Sequence, residues 1–214
     1  LPKLVKAGLR VAICDQLEDP KMTKTIVKRG VTELVTPGVA MNDEVLQAKS
    51  NNFLASVYFS KRQLGVAFLD VSTGEFLTAQ GNEEYIDKLL QNFSPSEILI
   101  QKNTKAQFKT AFGEDYNVFY LEDWVYKQDY AVETLQNHFQ TNSLKGFGVE
   151  ELQDGIIASG AILYYLSETQ HNKIQHITNI QRIAEDAYVW MDRFTIRNLE
   201  LYHSHSQNAV TLLN

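Results

Sequence analysis

Asp70 is the side chain of this sequence whose type and position come closest to those of a catalytic group. It lies near the end of the apolar run 64–71, and the turn-forming residues Ser72 and Gly74 follow it. A carboxylate there could belong to a two-metal nuclease site, because such a site needs several oxygen ligands within a few ångströms of each other. The structural alternative is that Asp70 and Ser72 accept backbone hydrogen bonds in a turn. The two alternatives differ in what must surround Asp70.

A nuclease site at Asp70 would require further carboxylates from a neighbouring strand and from a late helix. At the end of the strand 97–101 the sequence offers Gln101 and Lys102, which are not carboxylates. The structural alternative is therefore favoured, and we predict no catalytic residue in this chain. The acidic residues on the long helix 149–171 are Glu150, Glu151, Asp154 and Glu168.

The histidines and the single cysteine do not form a metal-binding pattern. His203 and His205 have the spacing of a strand-borne metal pair, and His171 and His176 flank a turn, but no cluster of carboxylates or cysteines accompanies either pair. Solvated loop histidines are the favoured interpretation, and we predict no metal site. Because Cys14 is the only cysteine, the sequence can form neither an internal disulfide nor a cysteine-based zinc cluster. We expect Cys14 to be a small buried side chain in a strand.

Composition limits the classes of partner that the chain could bind alone. The 214 residues are 44% hydrophobic and 21% charged, which suits a globular domain with a core of its own. A net charge of −6 argues against non-specific binding to a phosphate backbone. The longest apolar run, 156–166, is too short to span a bilayer. We therefore expect a cytoplasmic protein without a membrane segment, and the opening Leu1-Pro2-Lys3 suggests a fragment of a longer protein.

The central part of the chain predicts a mixed α/β sheet. Three apolar runs separated by brief polar breaks, at 53–59, 64–71 and 76–79, predict an antiparallel meander of three strands. Apolar periodicity then predicts alternating helices and strands. This order of elements is typical of an RNase H-like fold. The later helices are expected at 83–93, 105–112, 128–140 and 149–171, and the later strands at 97–101 and 117–121.

The two ends of the chain are harder to interpret. Residues 1–38 predict helix, strand, helix, strand, with the second helix running from Pro20 to about Arg29. Because these residues are too few for an independent core, they look like the tail of another domain. The polar segment 39–52 is interpreted as a linker. Residues 176–180 are expected to be extended, and 191–202 to be a helix or a mixed segment.

Three blocks of this sequence resemble the MutS family of bacterial DNA mismatch-repair proteins. Residues 10–20 (RVAICDQLEDP), with Lys28, Arg29 and the segment 35–38 (VTPG), resemble the end of the family's mismatch-binding domain. Residues 68–76 (FLDVSTGEF) resemble the opening of its connector domain. Residues 191–201 (MDRFTIRNLEL) resemble the entry to its lever or core domain. The blocks follow one another in family order and with family-like spacing.

The resemblance implies a division of the chain and a role for it. Residues 1–38 would be the C-terminal part of the mismatch-binding domain, 39–52 a linker, 53–172 a connector domain of RNase H-like fold, and 173–214 the start of the core or lever domain. The chain would then be a non-catalytic fragment that links the mismatch-binding domain to the lever and the ATPase. The alternatives are the metal-dependent nuclease domain using Asp70 and a purely structural spacer.

The family's own chemistry would lie outside this chain. The Phe-x-Glu motif that contacts a mispaired base would precede Leu1, and the ATPase with its ATP and Mg would follow Asn214. Consistent with this, the sequence contains no G-x-x-x-x-G-K-[ST] motif. Phe112-Gly113-Glu114 has the spacing of the mismatch motif, but it falls between a helix and a strand of the predicted connector. We expect this fragment to bind no cofactor, to hydrolyse no ATP and to recognise no mismatch.

The resemblance also suggests where partners would bind. MutS-like connector domains dock the partner MutL once ATP has converted the protein to a sliding clamp, and the matching stretch here includes Glu133, Thr134 and Asn137. An ordinary solvent face would show the same polar residues. Mismatched double-stranded DNA would be bound only through the full-length parent, and the fragment is expected to be monomeric. One group of basic residues could lie close to DNA or could simply be a solvated face. It consists of Lys21, Lys24, Lys28 and Arg29.

Overall fold

The computed structural model describes residues 1–18, 26–39, 51–170 and 174–183, together with 195, 198 and 199. These residues form a small two-stranded sheet near the N-terminus and a six-stranded sheet that organises the rest. Within the described ranges, no helix is both long and apolar enough to cross a membrane. The predictions for 19–25, 40–50, 171–173 and most of 184–214 concern residues outside this description.

The six-stranded sheet begins with an antiparallel meander. The strands are β3 (Phe53–Phe59), β4 (Leu64–Asp70) and β5 (Glu75–Gly81), and the middle of each is fully buried. Their aromatic and β-branched side chains fit a pleated surface that is covered on both faces. β3 pairs with β4 from Phe53 opposite Asp70 to Phe59 opposite Leu64, without a register shift. This meander is the one that the sequence predicted.

The sheet is completed by three parallel additions. β6 (Glu97–Gln101) pairs with β3, and β7 (Val118–Leu121) pairs with β6, both parallel. The short β8 (Gln181–Arg182) pairs parallel with β5 at the other edge. The order across the sheet is therefore β7-β6-β3-β4-β5-β8. The predicted mixed α/β sheet with flanking helices is confirmed. β8 was not predicted, because its two residues are both polar and exposed and show no alternation of apolar and polar side chains.

Helices cover both faces of this sheet and create two cores. On one face lie α2 (Glu83–Phe93) and α3 (Lys105–Phe112), which pack an aromatic core against the meander. On the other face lie α4 (Gln128–Phe139) and the long α5 (Gln153–Gln170). The apolar centre of α5 is buried between the sheet and α4, as its sequence predicted. Three 3₁₀ turns, Lys102–Thr104, Asp123–Tyr126 and Leu144–Phe147, complete the connections.

Glycines allow α5 to approach its neighbours closely. A Cβ on Gly65 of β4 would lie 2.0 Å from the backbone oxygen of Asp154, so the strand and the start of α5 are in backbone contact. A Cβ on Gly160 would lie 2.5 Å from the Cβ of Ala131 in α4. Side chains at either glycine would therefore push the helix away from the sheet or from α4.

The N-terminal part contains α1 (Pro2–Lys6) and the antiparallel pair β1 (Val11–Gln16) and β2 (Arg29–Val35). Two expectations were wrong here. Ile26 to Lys28 are not helical and Arg29 already pairs with Gln16, because strand pairing with β1 overrides the local helical pattern. Cys14 is exposed, since the inward positions of β1 are those of Val11 and Ile13 and a register shift follows Ile13.

Candidate functional site

Glu97 is a buried carboxylate at the junction between the N-terminal strands and the six-stranded sheet. It opens β6, and only 1% of its surface is exposed. Its Oε2 accepts hydrogen bonds from Thr36 Oγ1 at 2.6 Å and from the backbone N–H of Gly38 at 3.1 Å. Its Oε1 accepts a hydrogen bond from the hydroxyl of Tyr165 at 2.8 Å. The carboxylate thus holds the turn after β2 and the helix α5 at one point.

The surroundings of Glu97 fix this arrangement. Burial and the charge of Glu97 raise the pKa of Tyr165, so the hydroxyl stays protonated and can donate. A Cβ on Gly38 would lie 2.9 Å from both the Cβ of Glu97 and Cδ1 of Leu54, so only glycine fits at this close approach. A buried carboxylate with three donors is stable, whereas one without them would carry a large desolvation cost.

Further contacts join the same two parts of the chain. The guanidinium of Arg10, just before β1, lies 3.7 Å from the ring centroid of Phe119 in β7 and 5.5 Å from that of Tyr165. The amide of Asn52 donates to the backbone oxygen of Pro37 at 2.9 Å and accepts from Ser96 Oγ at 2.5 Å. Cation–π and hydrogen-bond contacts therefore flank the buried carboxylate.

No local sequence pattern predicts this junction. Glu97 looks like an acidic residue at a strand start, and its side-chain partners Thr36 and Tyr165 lie 61 and 68 residues away. The only available hint was an acidic residue directly before the apolar run Ile98 to Ile100. Val39, at the start of the predicted linker, is fully buried in the core beneath α4 and α5.

The side chain of Asp70 accepts hydrogen bonds in the turn between β4 and β5. Its Oδ1 accepts from the N–H and the hydroxyl of Ser72, at 2.9 and 2.6 Å, and from the N–H of Thr73 at 3.3 Å. Its Oδ2 accepts from the backbone N–H of Asn52 at 3.2 Å. Gly74, with φ of +77°, closes the turn. Asp70 thus accepts turn hydrogen bonds, as the structural interpretation expected, whereas Ser72 donates them rather than accepting them.

The acidic residues considered as partners of Asp70 lie elsewhere. Asp154 accepts from Ser60 Oγ at 3.1 Å, beside the β3–β4 hairpin, which is at the other end of β4 from Asp70. Glu168, near the C-terminal end of α5, is exposed, whereas Asp70 is buried. Among the residues that the structure describes, no group of three or more His, Cys, Asp or Glu could hold a metal ion.

The predicted partner-binding residues form one stripe along α4. Glu133 and Asn137 are exposed, and Thr134 between them is half-buried and donates to the backbone oxygen of Tyr130 at 2.7 Å. The buried side of the helix is formed by Ala131 and Leu135. The three residues are therefore accessible together, and their role in docking stays a prediction.

The predicted DNA-proximal residues are described only in part. Lys21 and Lys24 lie outside the described residues. Lys28 is exposed and its Nζ lies 3.7 Å from Oε1 of Glu18, while Arg29 is exposed at the start of β2. Of this group, Lys28 therefore lies directly before β2 and Arg29 at its first position, and neither is in a helix.

The remaining candidates have structural positions. His176 Nε2 lies 2.6 Å from the backbone oxygen of Val71, whereas His171, His203 and His205 are outside the described residues. Glu114, in the segment that imitates the mismatch motif, pairs with Lys109 at 2.6 Å on the surface.

The comparisons with known proteins all point to the same family. The family model described as MutS domain I matches residues 1–44, and the one described as MutS domain II matches residues 52–179. The whole chain is 83% identical to the DNA mismatch repair protein MutS of Flavobacterium psychrophilum, 81% to that of Flavobacterium johnsoniae and 74% to that of Christiangramia forsetii. In each case it covers 25% of the relative, so the chain spans about a quarter of the length of the curated relatives it matches. The chain belongs to the MutS family of DNA mismatch repair proteins, and it matches the models of domains I and II of that family.

Proposed function

We propose that residues 53–172 act as the connector domain of a DNA mismatch-recognition protein, joining the mismatch-binding domain to the lever and ATPase of the full-length protein. The observation that carries this proposal is the buried Glu97, which ties the turn after β2 to the six-stranded sheet and to α5. A joint made of a buried charge with three donors resists bending, because each lost hydrogen bond leaves a buried polar group unpaired. Movement of the mismatch-binding domain would therefore be transmitted rather than absorbed.

The order of strands supports an RNase H-like fold for this connector. An antiparallel β3-β4-β5 meander is extended on the β3 side by the parallel strands β6 and β7, and helices cover both faces. The fold does not imply nuclease chemistry, because function depends on the site and not on the fold. Asp70, the residue on which a nuclease would depend, is occupied by four hydrogen-bond donors.

The connector proposal is tested by Glu97→Gln in the full-length protein. Glutamine has the same shape but replaces one acceptor oxygen by a donor, which faces the donors already present. We expect mismatched DNA to be bound with near-normal affinity, while the mismatch-dependent change in ATP turnover falls several-fold. Glu84→Gln, an exposed glutamate on α2, is the matched control. Full coupling in Glu97→Gln would argue that this part of the chain is only a spacer.

A second proposed role is docking of a MutL-type partner on the outer face of α4. It is supported by the accessible stripe of Glu133, Thr134 and Asn137 together with membership of the MutS family. Glu133→Lys and Asn137→Lys in the full-length protein should reduce MutL recruitment to mismatched DNA and leave mismatch binding and ATP turnover intact. Unchanged recruitment would move the docking face elsewhere.

The other activities of the family belong, in this proposal, to the full-length protein. ATP and Mg would be held by an ATPase that these domains do not contain, and mismatched double-stranded DNA would be bound through the mismatch-binding domain. Lys21, Lys24, Lys28 and Arg29 remain the candidates for positions close to DNA. The isolated chain is proposed to be a monomer without cofactors, and the full-length protein to act in the cytoplasm.

A further inference from the structure

Trp124 is the most unusual surface residue of the larger domain. It lies in the 3₁₀ turn Asp123–Tyr126 with 43% of its surface exposed, and no other large hydrophobic residue in the described range 51–170 is as exposed. Its indole N–H has no acceptor among the described residues. A single exposed aromatic ring needs no explanation by itself. The arrangement of its neighbours does.

Three aromatic rings meet at this point. The ring centroid of Trp124 lies 5.0 Å from that of Tyr130 in α4 and 5.1 Å from that of Tyr164 in α5, and both pairs pack edge to face. The centroids of the two tyrosine rings are 6.1 Å apart. Edge-to-face packing on two sides holds the indole in one orientation. The ring is therefore fixed before any partner arrives, and little side-chain entropy would be lost on binding.

Two glutamates are close in the chain to residues of this three-ring cluster. Glu168 follows Tyr164 by four residues, one turn further along α5, and Glu122 directly precedes the 3₁₀ turn that contains Trp124. Burial is the main cause that raises the pKa of Tyr164, and the charges of Glu168, Tyr130 and Glu122 raise it further. Glu122 is already paired with Lys102, whereas Glu168 has no ion-pair partner within the described part of the chain. The cluster thus combines aromatic faces, which attract cations, with an acidic side chain available for pairing.

We propose that Trp124, Tyr130, Tyr164 and Glu168 form a docking pocket for an arginine-bearing segment of the partner that binds the α4 stripe. Arginine fits better than lysine, because its planar and weakly hydrated guanidinium can stack on an aromatic ring and pair with a carboxylate at the same time. Hot spots of protein interfaces are enriched in tryptophan and tyrosine, which fill well-packed and fully desolvated positions.

The position of Tyr130 connects this pocket to the docking face proposed above. Tyr130, Glu133, Thr134 and Asn137 have the spacing i, i+3, i+4, i+7, which places them along one side of a helix. The pocket therefore continues the same stripe towards the start of α4. The inference rests on the proposed docking function and specifies what the partner must contribute.

The test measures binding of the MutL-type partner to the full-length protein on mismatched DNA with ATP. We expect Trp124→Ala to weaken binding by about 30-fold, Trp124→Phe by less, and Glu168→Lys by about tenfold with a reduced dependence on salt. Glu84→Lys, on the opposite face of the sheet, is the matched charge reversal and should have no effect. Melting curves identify any variant that fails to fold, in which case Trp124→Phe and Glu168→Gln carry the test.

The outcomes separate this inference from the docking proposal. Loss of binding in Glu133→Lys with normal binding in the Trp124 and Glu168 variants would overturn the pocket and keep the docking face. If only the Trp124 and Glu168 variants lose binding, the pocket is supported and the docking face lies nearer to it than to Glu133. A photo-crosslinking amino acid at position 127, an exposed residue directly after the 3₁₀ turn, should capture a partner peptide that contains arginine. Capture of a peptide without arginine, or of a second copy of this protein, would overturn the inference.

Discussion

At the scale of single residues, buried carboxylates in this chain organise backbone and hydroxyl donors. Asp70 and Glu97 are each almost fully buried, and each accepts hydrogen bonds from groups that are distant in sequence or in a tight turn. Neither lies with other acidic side chains in the way that metal chemistry requires. Their chemistry in the described part of the molecule is therefore that of acceptors that hold segments together.

We predict that Glu97→Gln lowers the free energy of unfolding of this chain by roughly 2–3 kcal/mol, because hydrogen bonds to a buried charge are worth more than neutral ones. Glu97→Ala should cost more, since it also leaves a cavity among three unpaired donors. Urea denaturation measures both values. The control Glu84→Gln removes an exposed charge and should change the midpoint little.

Asp70→Asn gives a second prediction at this scale. The amide oxygen can still accept from Ser72 and Thr73, but the amide nitrogen would face the N–H of Asn52. A loss of about 1–2 kcal/mol is expected in urea denaturation. Incubation of wild-type chain and variant with Mg²⁺ and DNA should give no cleavage by either. Cleavage by the wild-type chain that Asp70→Asn abolishes would restore the nuclease alternative.

At the scale of elements, the close packing of α4 on α5 depends on Gly160. We predict that Gly160→Ala lowers the free energy of unfolding by roughly 1–3 kcal/mol, because the new methyl group would overlap Ala131. Ala131→Gly in the same chain should restore part of the loss, and a double-mutant cycle by urea denaturation measures the coupling. Gly146→Ala, where a Cβ meets nothing within 4 Å, is the matched control.

His138 of α4 links stability to pH. Its Nε2 lies 2.8 Å from the backbone oxygen of Ile177, and burial lowers its pKa below the usual value near 6.5. At acidic pH the unfolded chain therefore binds a proton that the folded chain resists. The contribution of neutral His138 is fully present above about pH 6.5 and is lost as the pH falls below it. Urea midpoints measured from pH 7.5 to 5 should fall less steeply in His138→Gln. An equal slope would contradict this role.

Local patterns were sufficient for elements whose own residues decide their structure. α2 (Glu83–Phe93), β6 (Glu97–Gln101) and α3 (Lys105–Phe112) begin and end where apolar periodicity and breaking residues predicted. The predicted helix does not extend over residues 26–29, because pairing with β1 outweighs a weak helical preference there. The candidate site was predictable only as far as the polar stripe of α4, since the partners of Glu97 and of Trp124 come from elements far apart in the sequence.

At the scale of the whole molecule, the described residues contain one large structural unit and one small unit that depends on it. The core of the small unit consists of Val5 and Val35, with Val11 and Ile13 partly buried against them. A two-stranded sheet with so little apolar surface is at best marginally stable alone. We infer that its order comes from its contacts with the larger sheet, which include those of Glu97, Arg10 and Asn52.

This dependence predicts a selective effect on hydrogen exchange. In Arg10→Ala combined with Glu97→Gln, the amides of β1 and β2 should lose protection by a factor on the order of 10–100, because each contact removed contributes about 1 kcal/mol or more. Amides of β3 and β4 should keep most of theirs, since the two cores around the meander are untouched. Lys3→Ala, an exposed change on α1, serves as the control. Equal loss in both sheets would mean that Glu97 supports the large core rather than the joint, and no loss in β1 and β2 would mean that the small sheet is held by other contacts. Only the selective loss fits a connector in which a buried carboxylate carries the mechanical link.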